Sequence, residues 1–108
     1  MTYEFENGMW VGIDGDVIVL IGVNFMHPES ENFSFHYNDI DGTFEKSAVL
    51  EILGAPNNSD FDWIDFMDAA LERYVYFTIV SDGWVEQAVS FYFNESDMVA
   101  GISFAWNS

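Results

Sequence analysis

Ser59-Asp60-Phe61-Asp62-Trp63-Ile64-Asp65-Phe66-Met67-Asp68-Ala69-Ala70-Leu71-Glu72-Arg73-Tyr74 is the stretch on which the architecture turns. Read with a helical period, it places Trp63, Ile64, Met67, Ala70, Leu71 and Tyr74 on one face. Asp62, Asp65, Asp68 and Glu72 then share the opposite arc. Ser59-Asp60-Phe61-Asp62 resembles a capping box with Asp in place of Glu. The pattern predicts a helix that opens there and runs to about Tyr74.

Just upstream, Phe44, Ala48 and Ile52 recur every four residues, with Val49 and Leu53 beside them. Thr43 is placed to cap that segment, and Gly54 with Pro56 supplies a stop, so a first, shorter helix is expected from Phe44 to Leu53. Toward the N-terminus, Met9 to Ile13 and Asp16 to Ile21 flank Asp14-Gly15, a strong local hairpin signal. Phe33-Ser34-Phe35-His36-Tyr37 alternates aromatic and polar residues and reads as a third strand. Downstream, Val75 to Val80, the Asp82-Gly83 turn, Trp84 to Phe93 and Met98 to Trp106 read as a meander. The order βββααβββ predicts an α+β fold over residues 1–108 as a single domain. In it an antiparallel sheet of about five or six strands carries two helices packed on one face.

Composition sets a second constraint. Nineteen Asp and Glu stand against only Lys46 and Arg73, a formal net charge of -17. Disordered acidic chains are poor in aromatic residues, whereas this one has 11 Phe, 5 Tyr and 4 Trp and is 50% hydrophobic, so a folded core is expected. Such a surface repels nucleic acid and anionic membrane and attracts proteins with a basic working surface. Adaptation to high salt is the competing account of the charge. There is no cysteine, hence no disulfide framework or thiolate chemistry. The start, Met1-Thr2-Tyr3-Glu4-Phe5-Glu6, has acids where a secretory signal carries basic residues. The longest apolar run, Val17 to Val23, is far below the roughly 20 residues that cross a bilayer. A cytoplasmic protein without membrane attachment is expected.

Reactive constellations are scarce. Asn38-Asp39-Ile40-Asp41-Gly42 has the look of a calcium loop, but anchoring the pattern on Gly42 puts Tyr37 first and Ala48 twelfth, where carboxylates are needed. His27 and His36 are too far apart in sequence to form a recognisable metal site, even with Glu29 and Glu31 nearby. No nucleophile elbow or glycine-rich phosphate loop occurs, and two cationic side chains are a poor basis for holding an anionic substrate. The chain reads as a non-enzyme without cofactor or metal. The candidate partner-binding residues are Asp62, Asp65, Asp68 and Glu72, whose helical spacing of about 5 to 6 Å approximates successive phosphates. Asp39 and Asp41 extend the patch, with Glu45 and Glu51 on the neighbouring helix. Trp10 and Trp84 are expected in the core, with anchoring at a partner surface as the alternative.

In size, charge, aromatic richness, lack of cysteine and α+β pattern, the chain resembles the small acidic immunity proteins that bacteria keep beside nuclease toxins of the colicin and contact-dependent inhibition type. The resemblance implies an inhibitor that binds a basic RNase or DNase toxin domain, over its active site or at an adjacent exosite. Phage-encoded nucleic-acid mimics that block restriction or CRISPR effectors share the same composition and are the alternative reading. In both cases the partner is a basic protein, with no direct contact to nucleic acid.

Overall fold

The computed structural model describes residues 2–5, 8–27 and 37–106. Its framework is one antiparallel sheet of seven strands: β1 (Thr2–Glu4), β2 (Met9–Asp14), β3 (Val17–Asn24), β4 (Asn58–Ile64), β5 (Ala69–Ser81), β6 (Trp84–Phe93) and β7 (Val99–Trp106). The spatial order is β1-β2-β3-β7-β6-β5-β4. A single α-helix, α1 (Lys46–Leu53), lies between β3 and β4 in sequence. The α+β expectation therefore holds only in outline: among the described residues there is one helix where two were expected, and more strands.

The difference lies in the stretch from Ser59 to Tyr74. It forms a β-hairpin, in which β4 pairs with β5 from Asn58↔Val75 to Ile64↔Ala69. A turn of 3-10 helix at Asp65–Met67 connects the strands, and Asp68 follows in the left-handed region at φ 51°. Asp tolerates that conformation better than most residues. Asp60-Phe61-Asp62-Trp63 alternates strictly between acid and aromatic, which is the period of a strand, and Val75 to Val80 extends the second arm with β-favouring residues. The helical period also fits these residues. Pairing of β5 with β6 over ten residues decides in favour of the strand.

The other turns follow from local chemistry. Asp82 and Gly83 both have positive φ, 51° and 80°, as a two-residue I′ turn requires. At the first hairpin the loop residues are Gly15 and Asp16, one position later than expected, with Asp14 paired to Val17. Of the two only Gly15 has positive φ, 62°, as in a type II′ turn. The helix also starts later than Phe44. Its N-terminus has no side-chain cap; Lys46 N–H donates to the Asp97 carbonyl at 2.7 Å instead. Thr43 turns away, donating both its N–H and its hydroxyl to Asp41 Oδ1. Gly54 ends the helix at φ 78°, as the sequence suggests. Residues 33–36 of the expected third strand lie outside the described residues, and Tyr37 makes an isolated bridge with Ile40.

The two faces of the sheet are unequal. One carries Val23, Tyr76, Val89, Phe91, Phe93, Val99 and Ile102, covered by Val49 of α1 together with Ile40. Tyr76 and Phe91 meet edge to face at 5.7 Å between centroids, and Tyr74 meets Phe93 at 5.0 Å. The opposite face holds a smaller cluster of Ile64, Met67, Leu71, Tyr92 and Ala100. Gly101 lies beneath it, where a Cβ would fall 2.9 Å from Met67 Cε. Trp84 is not in the core: it is 71% exposed beside its turn, while Trp10 is half-buried. Phe91→Ala is therefore expected to cost about 3–5 kcal/mol in denaturant unfolding, and Trp84→Ala no more than about 0.5 kcal/mol.

Candidate functional site

The acidic residues singled out by the helical reading do not form one face. Asp62 lies on β4 on the same face as Asp60 and Ile64, whereas Glu72 lies on β5 on the helix-bearing face, opposite Phe93. Asp65 and Asp68 sit in the connecting turn. Side chains alternate along a strand, so a run that would line one arc of a helix is divided between two faces and a tip. The hairpin still gathers exposed carboxylates at Asp60, Asp62, Asp65 and Asp68. Asp39 and Asp41 lie apart from it in the loop before α1. Asp39 is exposed at φ 67°, and the Asp41 carboxylate is engaged by Thr43.

Both cations of the chain are consumed by neighbouring acids. Arg73 stands directly opposite Asp60 across the β4–β5 ladder and forms a fork, its Nε donating to Oδ1 at 2.9 Å and its Nη2 to Oδ2. Lys46, at the start of α1, donates to Glu72 Oε1 and reaches Asp97 Oδ1 at 3.1 Å. Its ammonium lies 5.9 Å from the centre of the Phe93 ring. These pairs fasten the helix and the edge strand to the sheet. They leave the remaining carboxylates without a lysine or arginine to offset them.

Three ionisable groups are shifted upward, Arg73 chiefly by its hydrogen bonds to Asp60. The hydrogen bond to Glu72 raises the Lys46 ammonium above its ordinary value, against an opposing effect of burial. Burial raises the Tyr76 phenol, whose hydroxyl donates to the Gly54 carbonyl at 2.9 Å. A folded pKa above the unfolded one contributes stability that is complete below the unfolded value and is lost as pH rises through the folded value. The denaturant midpoint is expected to fall above about pH 10. Lys46→Met should lower the unfolding free energy at pH 8 by at most about 1 kcal/mol and make the alkaline fall shallower.

Salt should act in the sense opposite to that for a protein held by surface ion pairs. Added sodium chloride screens many repulsions and few attractions, so the melting temperature is expected to rise between about 0.01 and 1 M ionic strength, as the Debye length drops from about 30 to 3 Å. A melting temperature that falls with salt would show that the ion pairs of Lys46 and Arg73 outweigh the repulsion.

Beside the Lys46 pair is a pocket of about 290 Å³, lined by Phe61, Ala70, Glu72, Phe93, Asn94, Glu95 and Asp97. Asn94 fixes its rim, accepting from the backbone N–H groups of Ser96 and Met98. Phe61 forms one wall and is 72% exposed; Trp63, two residues on along the same face of β4, is 55% exposed. The helical reading missed Phe61 as a surface residue because the ring fell on neither of its faces. The acid-aromatic alternation from Asp60 to Trp63 was the signal that finds it. Among the described residues no group of three His, Asp or Glu converges as a metal site would require, and no helix is long and apolar enough to cross a membrane. The possible metal residue His36, with Glu29 and Glu31, lies outside the described residues.

No protein-family model, no curated protein and no solved structure matches the chain.

Proposed function

We propose that the chain is an acidic inhibitor of the immunity-protein kind, which binds and neutralises a basic nuclease domain. The observation that carries this reading is the engagement of Lys46 and Arg73 by Glu72, Asp97 and Asp60. With both cations held within the fold, the surface presents its surplus of acids to solvent unmoderated. A charge of -17 does not help the chain to fold, since self-repulsion opposes compactness. A cationic groove that ordinarily holds polynucleotide is a surface such a charge complements.

The mechanism is electrostatic approach followed by short-range docking. Long-range attraction raises the association rate above the ordinary 10⁵–10⁶ M⁻¹s⁻¹ toward about 10⁸–10⁹ M⁻¹s⁻¹ at low salt. Desolvated aromatic contacts then set the dissociation rate. The β4–β5 hairpin supports this division, because exposed carboxylates and the exposed rings of Phe61 and Trp63 occur together on it. Chemistry on the substrate is left to the partner; the inhibitor need only deny access.

A panel of basic RNase and DNase domains, assayed with fluorogenic substrates at low salt, tests the reading. Stoichiometric inhibition of at least one domain is expected, and none across the panel would refute it. For the inhibited domain, reversing Asp65 and Glu95 to Lys should slow association about tenfold at low salt and flatten its salt dependence. Both side chains are exposed and lie outside the ion pairs of Lys46 and Arg73, so the fold should be preserved.

A further inference from the structure

We propose that the open edge of β4 takes up an extended segment of a basic protein as an eighth strand, with a lysine or arginine of that segment seated in the pocket beside Phe61. This rests on the inhibitor reading and adds the manner of engagement.

Among the described residues, the strand order leaves β4 paired on one side only. Trp63 donates its N–H to Asp62 Oδ1 at 2.8 Å. In an antiparallel ladder alternate residues bond to the neighbouring strand, so an edge strand turns every second residue's backbone groups toward its open side. Exposed edges invite further strands, and proteins blunt them with charge, proline, bulges or a covering element. Here the protection is uneven. On one face stand Asp60 and Asp62; on the other stand Phe61 and Trp63, side by side and largely bare.

Charge selects the occupant. A second copy of this chain brings another net -17, and pairing β4 with β4 sets aspartates against aspartates, which is destabilising across a ladder. A neutral strand leaves Asp62 and Glu95 partly desolvated with no counter-charge. An extended basic segment meets each requirement. Its side chains alternate between faces, so cations on one side approach Asp62 while the other side packs on Trp63 and enters the pocket. In the pocket a cation finds the Phe61 ring and the side chains of Glu95, Glu72 and Asp97. Lys46 already shows that chemistry from within, with its ammonium near Phe93 between two carboxylates.

The probe is a peptide of about ten residues that alternates Lys or Arg with Val or Thr, with one Val replaced by Lys so that both faces carry a cation, titrated into the full ¹⁵N-labelled chain and followed by amide shifts. A second peptide has the same sequence N-methylated at every backbone amide, which keeps the charge and removes the strand's donors. The unmethylated peptide should shift the amides of residues 58–64 and the Trp63 indole, and methylation should weaken binding about tenfold or more. Phe61→Ser should weaken it about tenfold with the melting temperature unchanged, because the ring is exposed. Equal binding of both peptides, with shifts spread over the acidic loops, would overturn strand addition and leave the electrostatic reading standing. Absence of binding by either peptide would overturn strand addition alone, since the nuclease panel judges the inhibitor reading separately. A dimer in sedimentation that dissociates in Phe61→Ser would overturn it in favour of a second copy.

Discussion

The pairing of β3 with β7 is the constraint from which the remaining arrangement follows. From Leu20↔Ala105 to Asn24↔Gly101, it joins the N-terminal strands β1 to β3 to the meander β4 to β7 and makes one sheet of two parts. It also occupies the outer side of β7, so the meander can be open only at β4. The same ladder brings Val23 beside Ile102 and completes the apolar layer beneath Val49 and Ile40. The position of the acidic hairpin at the rim of the sheet is thus set at its centre.

That apolar layer has to outweigh considerable repulsion, and the protein places its two cations where each joins separate elements. Arg73 ties the edge strand to its neighbour through Asp60. Lys46 ties α1 both to β5, through Glu72, and to the β6–β7 loop, through Asp97. Surface ion pairs of this kind contribute little individually. Their value here is positional: each holds a helix or strand whose apolar contacts alone are few, as with α1, where Val49 is the buried residue.

The sequence was most legible where the backbone demanded a particular residue. The Asp82-Gly83 turn and the stop at Gly54 need positive φ, and both were found where expected. The first hairpin was found with its turn displaced by one residue. The second helix was misread because Trp63, Ile64, Met67, Ala70, Leu71 and Tyr74 satisfy a helical period while Asp60 to Trp63 satisfy a strand period. Which wins depends on β6, a partner that no local pattern contains. The start of α1 was missed for a related reason, since the Asp97 carbonyl substitutes for a local cap. At the candidate site the grouping of the acids changed with the element that carries them: Asp62, Asp65 and Asp68 are exposed, whereas Glu72 and Asp41 are half-buried and engaged by Lys46 and Thr43. β1 has only three residues, too few to establish a period.

The ladder between β3 and β7 has a consequence in time. Its partners are about 80 residues apart in sequence, whereas the hairpins β2–β3, β4–β5 and β5–β6 close over a few residues. Bringing distant segments together carries an entropic cost that adjacent arms largely avoid, so topologies of this kind reach their native state in milliseconds to seconds and not in microseconds. The two halves of the sheet meet only through this ladder, the costliest closure in the topology. Until they do, β7 offers an unclaimed side, and the mutual repulsion of so many carboxylates is what keeps half-made molecules from claiming it from one another.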